Sequence, residues 1–122
     1  MFLSTGTLQS YSEQQLVDCS KQNNGCNGGL MDYAFQYVES NPLMLEDAYP
    51  YTARQGYTCQ YVSSKGLGKV KSFKDVSRDT SGQQLQAALA KGPVSVAVEA
   101  DQFAFQGYTS GVITSGCGTQ ID

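Results

Sequence analysis

The chain has 122 residues, 40% of them apolar, with a formal net charge of −3 and a pI of about 4.7. That length suits one domain or a piece of a larger one, and the apolar share supports a small core, which argues against disorder. Lysine and arginine are outnumbered 8 to 11 by acidic residues and form no evident cluster, so a nucleic-acid partner is not expected. The acidic balance fits an acidic or extracellular setting, and no apolar run approaches the ~20 residues of a membrane span, so no membrane partner is expected.

Met1-Phe2-Leu3-Ser4-Thr5-Gly6 has neither the basic start nor the long apolar stretch of a signal peptide. Met1 therefore reads as an artificial start or the opening of a truncated reading frame. Ser12, with Gln15 three residues on, matches a capping box and predicts a short helix over about residues 12–18. Asn27 is a candidate cap for a second helix, in which Leu30, Met31, Ala34, Phe35 and Val38 recur at helical spacing to about Glu39 before Asn41-Pro42 ends it. Residues 41–68 carry turn formers, with Ala48-Tyr49-Pro50-Tyr51 extended. A strand is expected over 69–73. A third helix over about 82–91 follows, capped by Ser81, with Leu85, Ala88 and Leu89 inward and Gly92-Pro93 as its stop. Val94-Ser95-Val96-Ala97-Val98 alternates as a strand does. Phe103, Phe105 and Tyr108 form an aromatic group, and Gly111-Val112-Ile113-Thr114 reads as a short strand. The first half is mostly helical and the second mixed, an α+β pattern with its boundary near residues 66–74.

The stretch Gly25-Cys26-Asn27-Gly28-Gly29-Leu30-Met31 is the most telling. Paired glycines leave a main chain bare enough for another peptide to lie against it, and an apolar pair follows at once. Such a layout grips an extended peptide by its backbone and reads one apolar side chain; a glycine pair that merely opens a helix is the alternative. For Met31 and Ala97 the alternative is ordinary core packing. The four cysteines, Cys19, Cys26, Cys59 and Cys117, allow three pairings into two disulfides. Their separations of 7, 33 and 58 residues and the absence of histidine do not suit zinc, so no metal and no cofactor is expected, and disulfides in an oxidising compartment are the better reading. Glu13, Asp18, Asp32, Glu39, Glu46 and Asp47 are scattered and read as solvated faces.

Ser12 to Cys19, Gly25-Cys26-Asn27-Gly28-Gly29, Tyr49-Pro50-Tyr51, Gly92-Pro93-Val94-Ser95-Val96-Ala97 and Gly111-Val112-Ile113, in that order, closely resemble the papain-type cysteine peptidases, in particular the cathepsin L-like branch. Phe2 to Leu8 resembles the end of that family's central helix. The resemblance implies a partial papain-like cysteine proteinase fold. Residues 1–68 would be most of the helical lobe without its central helix, and residues 69–122 about half of the β-barrel-like lobe, together one incomplete catalytic domain. It also implies cysteine-type endopeptidase activity in an intact parent, through a thiol acyl-enzyme, with a bulky apolar residue favoured two places before the cut. Gly28 and Gly29 match the backbone clamp. Leu30, Met31 and Ala97 match walls of the pocket for that residue, and Ile121 and Asp122 match its far edge and the start of the primed side.

By the same resemblance Cys19 pairs with Cys59, while Cys26 and Cys117 match positions whose partners lie outside this chain. Catalysis of this type needs a thiolate and an imidazole, and the family's histidine follows its nucleophile by about 130–150 residues. The matched positions begin after the nucleophile motif and stop just before the histidine, so the 122-residue chain alone is expected to be inactive. Expected partners are a peptide or protein substrate and, for the parent, a family-type prodomain or cystatin-like inhibitors, in a lysosomal or other acidic vesicle or after secretion. The rival reading is a non-catalytic papain-like protein that binds peptides or a protease partner.

Overall fold

The structure, a computed structural model, describes residues 2–121. It falls into two compact units, Met1–Asp75 and Val76–Asp122.

In the first unit, α1 (Phe2–Thr5) is a single turn, and α2 (Glu13–Cys19) and α3 (Met31–Ser40) are the helices that matter. Ser12 caps α2 as its sequence suggests: its Oγ accepts from the Gln15 N–H at 3.0 Å. The other half of the capping box does not form. The Ser12 N–H donates instead to the Met44 carbonyl, and the Gln15 side chain turns inward. Helix α3 begins at Met31 rather than near Asn27, because Gly25–Asn27 forms its own 3-10 turn. Val38 is buried on the inner side of α3, and Phe35 stacks on Phe73 with ring centroids 5.6 Å apart.

The core of this unit is unusually polar. Its largest fully buried side chains are Gln14, Gln15 and Ser12, beside an apolar cluster of Cys19, Met44 and Tyr49. Buried amides are tolerated only when hydrogen-bonded, and both are. Gln15 Oε1 accepts from the Met44 N–H at 2.8 Å, and its Nε2 donates to the Tyr37 hydroxyl at 3.2 Å and the Pro42 carbonyl at 3.4 Å. Gln14 Nε2 donates to the Arg54 carbonyl at 2.8 Å and to Asp18 at 2.9 Å, while its Oε1 accepts from the Thr52 N–H and hydroxyl at 3.0 and 3.1 Å. One short helix thus holds two loops by side-chain bonds. Isolated antiparallel bridges, Tyr11 with Leu45 and Leu43 with Gly68, close the unit.

The second unit holds α4 (Gln83–Leu89) and α5 (Phe103–Gln106), and none of its described residues is buried. Several expectations from sequence fail in these parts of the chain. Residues 69–73, 94–98 and 111–114 form no strand among the described residues: a strand needs a neighbouring segment to bridge its N–H and C=O groups, and no β-bridge falls within these ranges. Leu85 and Leu89, expected inward, are exposed, while Ala88 between them is half-buried. The start of α4 is fixed chiefly by Asp79, whose carboxylate accepts from the N–H groups of Gly82 and Gln84, with Ser81 bonded to the same carboxylate.

Replacing Gln15 by alanine removes the acceptor of the buried Met44 N–H, which costs about 1–3 kcal/mol for the orphaned group. Hydrogen exchange at the Met44 amide is expected to quicken roughly ten- to a hundredfold in Q15A and to stay unchanged when the exposed Gln36 is replaced instead. Equal exchange in the two variants would contradict the anchoring role of Gln15.

Candidate functional site

Helices α2 and α3 meet over a concavity of about 230 Å³ lined by Leu16, Val17, Asn23, Gly25, Gly28, Gly29, Leu30, Met31 and Ala34. No charged side chain lines it. It is smaller than the ~300–1,000 Å³ typical of sites for drug-sized ligands, a size suited to a single side chain. Four residues singled out from sequence, Gly28, Gly29, Leu30 and Met31, come together in this hollow. Leu30 and Met31 are 58% and 41% exposed, so both walls are reachable from solvent.

Each glycine has a local reason. Gly28 has φ +100°, a conformation that L side chains avoid, and it closes the 3-10 turn. Gly29 lies against the Asn23 side chain so closely that a Cβ would overlap it. Asn23 holds that place through two further bonds: its Oδ1 accepts from the Leu30 N–H and its Nδ2 donates to Ser20 Oγ, both at 2.9 Å. The Gly28 carbonyl accepts from the Asn24 N–H at 2.9 Å. Between these engaged neighbours, the N–H and C=O of the exposed Gly29 make no hydrogen bond among the described residues. A free donor and a free acceptor on one residue, at the rim of an apolar concavity, are what an extended peptide needs to pair with a main chain.

Ala97 and Ile121 lie in the second unit, both exposed, and Asp122 lies outside the described residues. Cys19 and Cys59 form a disulfide with Cα atoms 4.9 Å apart, while Cys26 and Cys117 are free and exposed. Around that disulfide is a separate concavity of about 440 Å³ lined by Lys21, Tyr37, Asn41 and Tyr61 among others, and it contains none of the glycine-loop residues. Among the described residues no group of His, Cys, Asp and Glu is arranged to hold a metal ion.

Leu16, Val17, Asn23 and Ala34 are part of the lining that the sequence did not single out. Leu16 and Val17 sit on α2 between two anchored residues, Gln15 and Asp18. Asp18, read from sequence as a solvated charge, instead accepts from the Tyr49 hydroxyl at 2.7 Å, the Gly56 N–H at 2.7 Å and Gln14 at 2.9 Å. Burial acts to raise its carboxyl, but these three hydrogen bonds outweigh it and hold the group below the ordinary carboxylate range. Burial, countered by the Gln60 N–H and reinforced by Asp18, pushes the Tyr49 hydroxyl up. Glu46, read in the same way, is half-buried and accepts from the Tyr51 N–H at 2.8 Å.

The chain is similar to known proteins along its whole length. A family model described as papain family cysteine protease matches residues 1–122. A thiol protease of Hemerocallis is 41% identical over 98% of this chain and 33% of its own, and a low-temperature-induced cysteine proteinase of Solanum lycopersicum is 47% identical over 97% and 34%. The chain therefore spans about a third of the length of these curated relatives. Among solved structures, a Carica candamarcensis cysteine protease in complex with E-64 superposes with a TM-score of 0.86 at 40% identity, covering 99% of this chain and 56% of that one. A digestive procathepsin L 3 of Tenebrio molitor gives 0.73 at 39% identity, covering 80% and 32%. The fold is accordingly a partial papain-like fold of the α+β class, rich in helix and poor in paired strand.

The native pKa of Asp18 lies below its unfolded value near 4, so the unfolded chain binds the extra proton as the pH falls. The stabilisation is complete above the unfolded value and is lost as the pH drops through the lowered native one. Urea midpoints taken from about pH 6 to about pH 3 should decline for the native chain and decline less steeply for Asp18→Asn; parallel declines would show that Asp18 is as solvated as its sequence suggests.

Proposed function

Because the chain belongs to the papain family of cysteine proteases, we propose that it forms part of the substrate groove of a cysteine-type endopeptidase. The observation that carries this reading is the free main chain of Gly29 at the rim of the apolar concavity. In the proposed mode, the substrate residue two places before the cut exchanges two main-chain hydrogen bonds with Gly29. Its side chain enters between Leu30 and Met31. A bulky apolar side chain is favoured there because the lining holds no charge to satisfy and the gain on entry comes from apolar area leaving water.

The chemistry requires groups beyond these residues. A cysteine thiolate attacks the scissile carbonyl, the C–N bond breaks as an imidazolium gives its proton to the departing amine, and water then releases the acyl group as a carboxylic acid. This chain contains no histidine. It contributes binding and orientation, which confer rate only when nucleophile and base are supplied with it. The Cys19–Cys59 disulfide supports an oxidising compartment. A prodomain, cystatin-like inhibitors, and an acidic vesicle or secretion complete the proposal.

The complete reading frame that encodes these residues should hydrolyse a peptidyl substrate with Phe or Leu before Arg, under reducing conditions at mildly acidic pH. The 122-residue chain should not. In the complete protein Gly29→Ala displaces Asn23 and the Leu30 N–H with it, and kcat/KM should drop about ten- to a hundredfold, or roughly 1.4–2.8 kcal/mol of transition-state binding. Thiol-dependent turnover by the purified 122-residue chain, or an unimpaired G29A enzyme, would contradict the reading.

A further inference from the structure

Beside the concavity lies a loop that the proposed reaction leaves without a role. The segment from Thr52 to Gly56 has no regular structure, yet it is held at three points by α2. Gln14 Oε1 accepts from the Thr52 N–H at 3.0 Å, Gln14 Nε2 donates to the Arg54 carbonyl at 2.8 Å, and Asp18 Oδ1 accepts from the Gly56 N–H at 2.7 Å. Between the first two anchors sits Ala53 with φ +55°, the one non-glycine residue with positive φ among those described. That conformation is unfavourable for an L residue and persists where the surroundings over-determine it. A fully buried glutamine bonded to both of Ala53's neighbours is such a surrounding.

The strained turn places Gln55. Its side-chain amide lies against Gly25, a lining residue of the concavity, so closely that a Cβ on Gly25 would overlap it. Gln55 is exposed, and its amide makes no hydrogen bond among the described residues. The three anchors and the strain at Ala53 therefore present a spare donor and a spare acceptor at the Gly25 edge of the concavity, on a backbone already fixed before any ligand arrives. Fixing a contact in advance lowers the ordering cost of using it.

We propose that Gln55 is a specificity-determining residue, one that hydrogen-bonds the side chain of a substrate residue farther from the cut than the one held in the concavity. An amide both donates and accepts, so it favours an uncharged polar side chain such as Asn, Gln, Ser or Thr at the third or fourth position before the cut. A single neutral hydrogen bond supports a preference of about two- to tenfold over an apolar residue of similar size. This assignment rests on the endopeptidase reading.

The test uses the complete active protein with peptide libraries varied at the second, third and fourth positions before the cut. Gln55→Glu should turn the third- or fourth-position preference towards Lys and Arg, and Gln55→Lys towards Asp and Glu, each by about fivefold, with the second-position preference unchanged. Titration of active thiols with an epoxide inhibitor counts the folded enzyme in every variant and normalises the rates. Unchanged third- and fourth-position profiles in an active enzyme, or a change confined to the second position, would overturn the assignment while leaving the endopeptidase reading intact. A complete wild-type protein without turnover would overturn both.

Discussion

Two adjacent buried glutamines anchor much of the first unit. Gln14 and Gln15 are almost wholly removed from water, and between them they bond Asp18, Tyr37, Pro42, Met44, Thr52 and Arg54. Each satisfied bond contributes only about 0.5–1.5 kcal/mol net, but each bond left open would cost more than that. Buried networks of this kind therefore act as all-or-none constraints on the chain around them. The side chains of one seven-residue helix thus add anchors to loops that otherwise have only isolated bridges and a small apolar cluster.

The candidate site inherits its shape from that constraint. Gln15 and Asp18 flank Leu16 and Val17, which face the concavity, so holding the ends of α2 also holds that wall. The opposite wall is set by the glycine loop, where Asn23 fixes the entry of α3 and excludes any side chain at position 29. The outcome is a main-chain donor and acceptor left open beside an apolar hollow. The glycines are needed first for local geometry, and the free main chain is a consequence that a peptide can use.

What was legible in the sequence follows from where its determinants lie. The α2 cap and the apolar spacing of α3 are local, and both elements appear close to where the residues place them. The glycine loop was legible because only glycine meets its conformational demands. The three expected strands were not realised, because alternation of side chains states a preference while pairing requires a second chain segment. The tertiary use of the polar residues was equally hidden. Gln15 looked like half of a capping box and Asp18 like a surface charge, and their partners at Met44 and Gly56 lie 29 and 38 residues away in sequence. No local pattern marks a glutamine that will be buried.

The polar core is tested most directly by the solvent exchange of individual glutamine side-chain amides, followed by nuclear magnetic resonance. The Nε2 protons of Gln14 and Gln15 should be shifted from random-coil positions and protected, whereas those of the exposed Gln36, Gln55 and Gln60 exchange freely. Side-chain amides that all exchange alike would contradict a buried polar core, and would leave the loops and the site without the anchors that shape them.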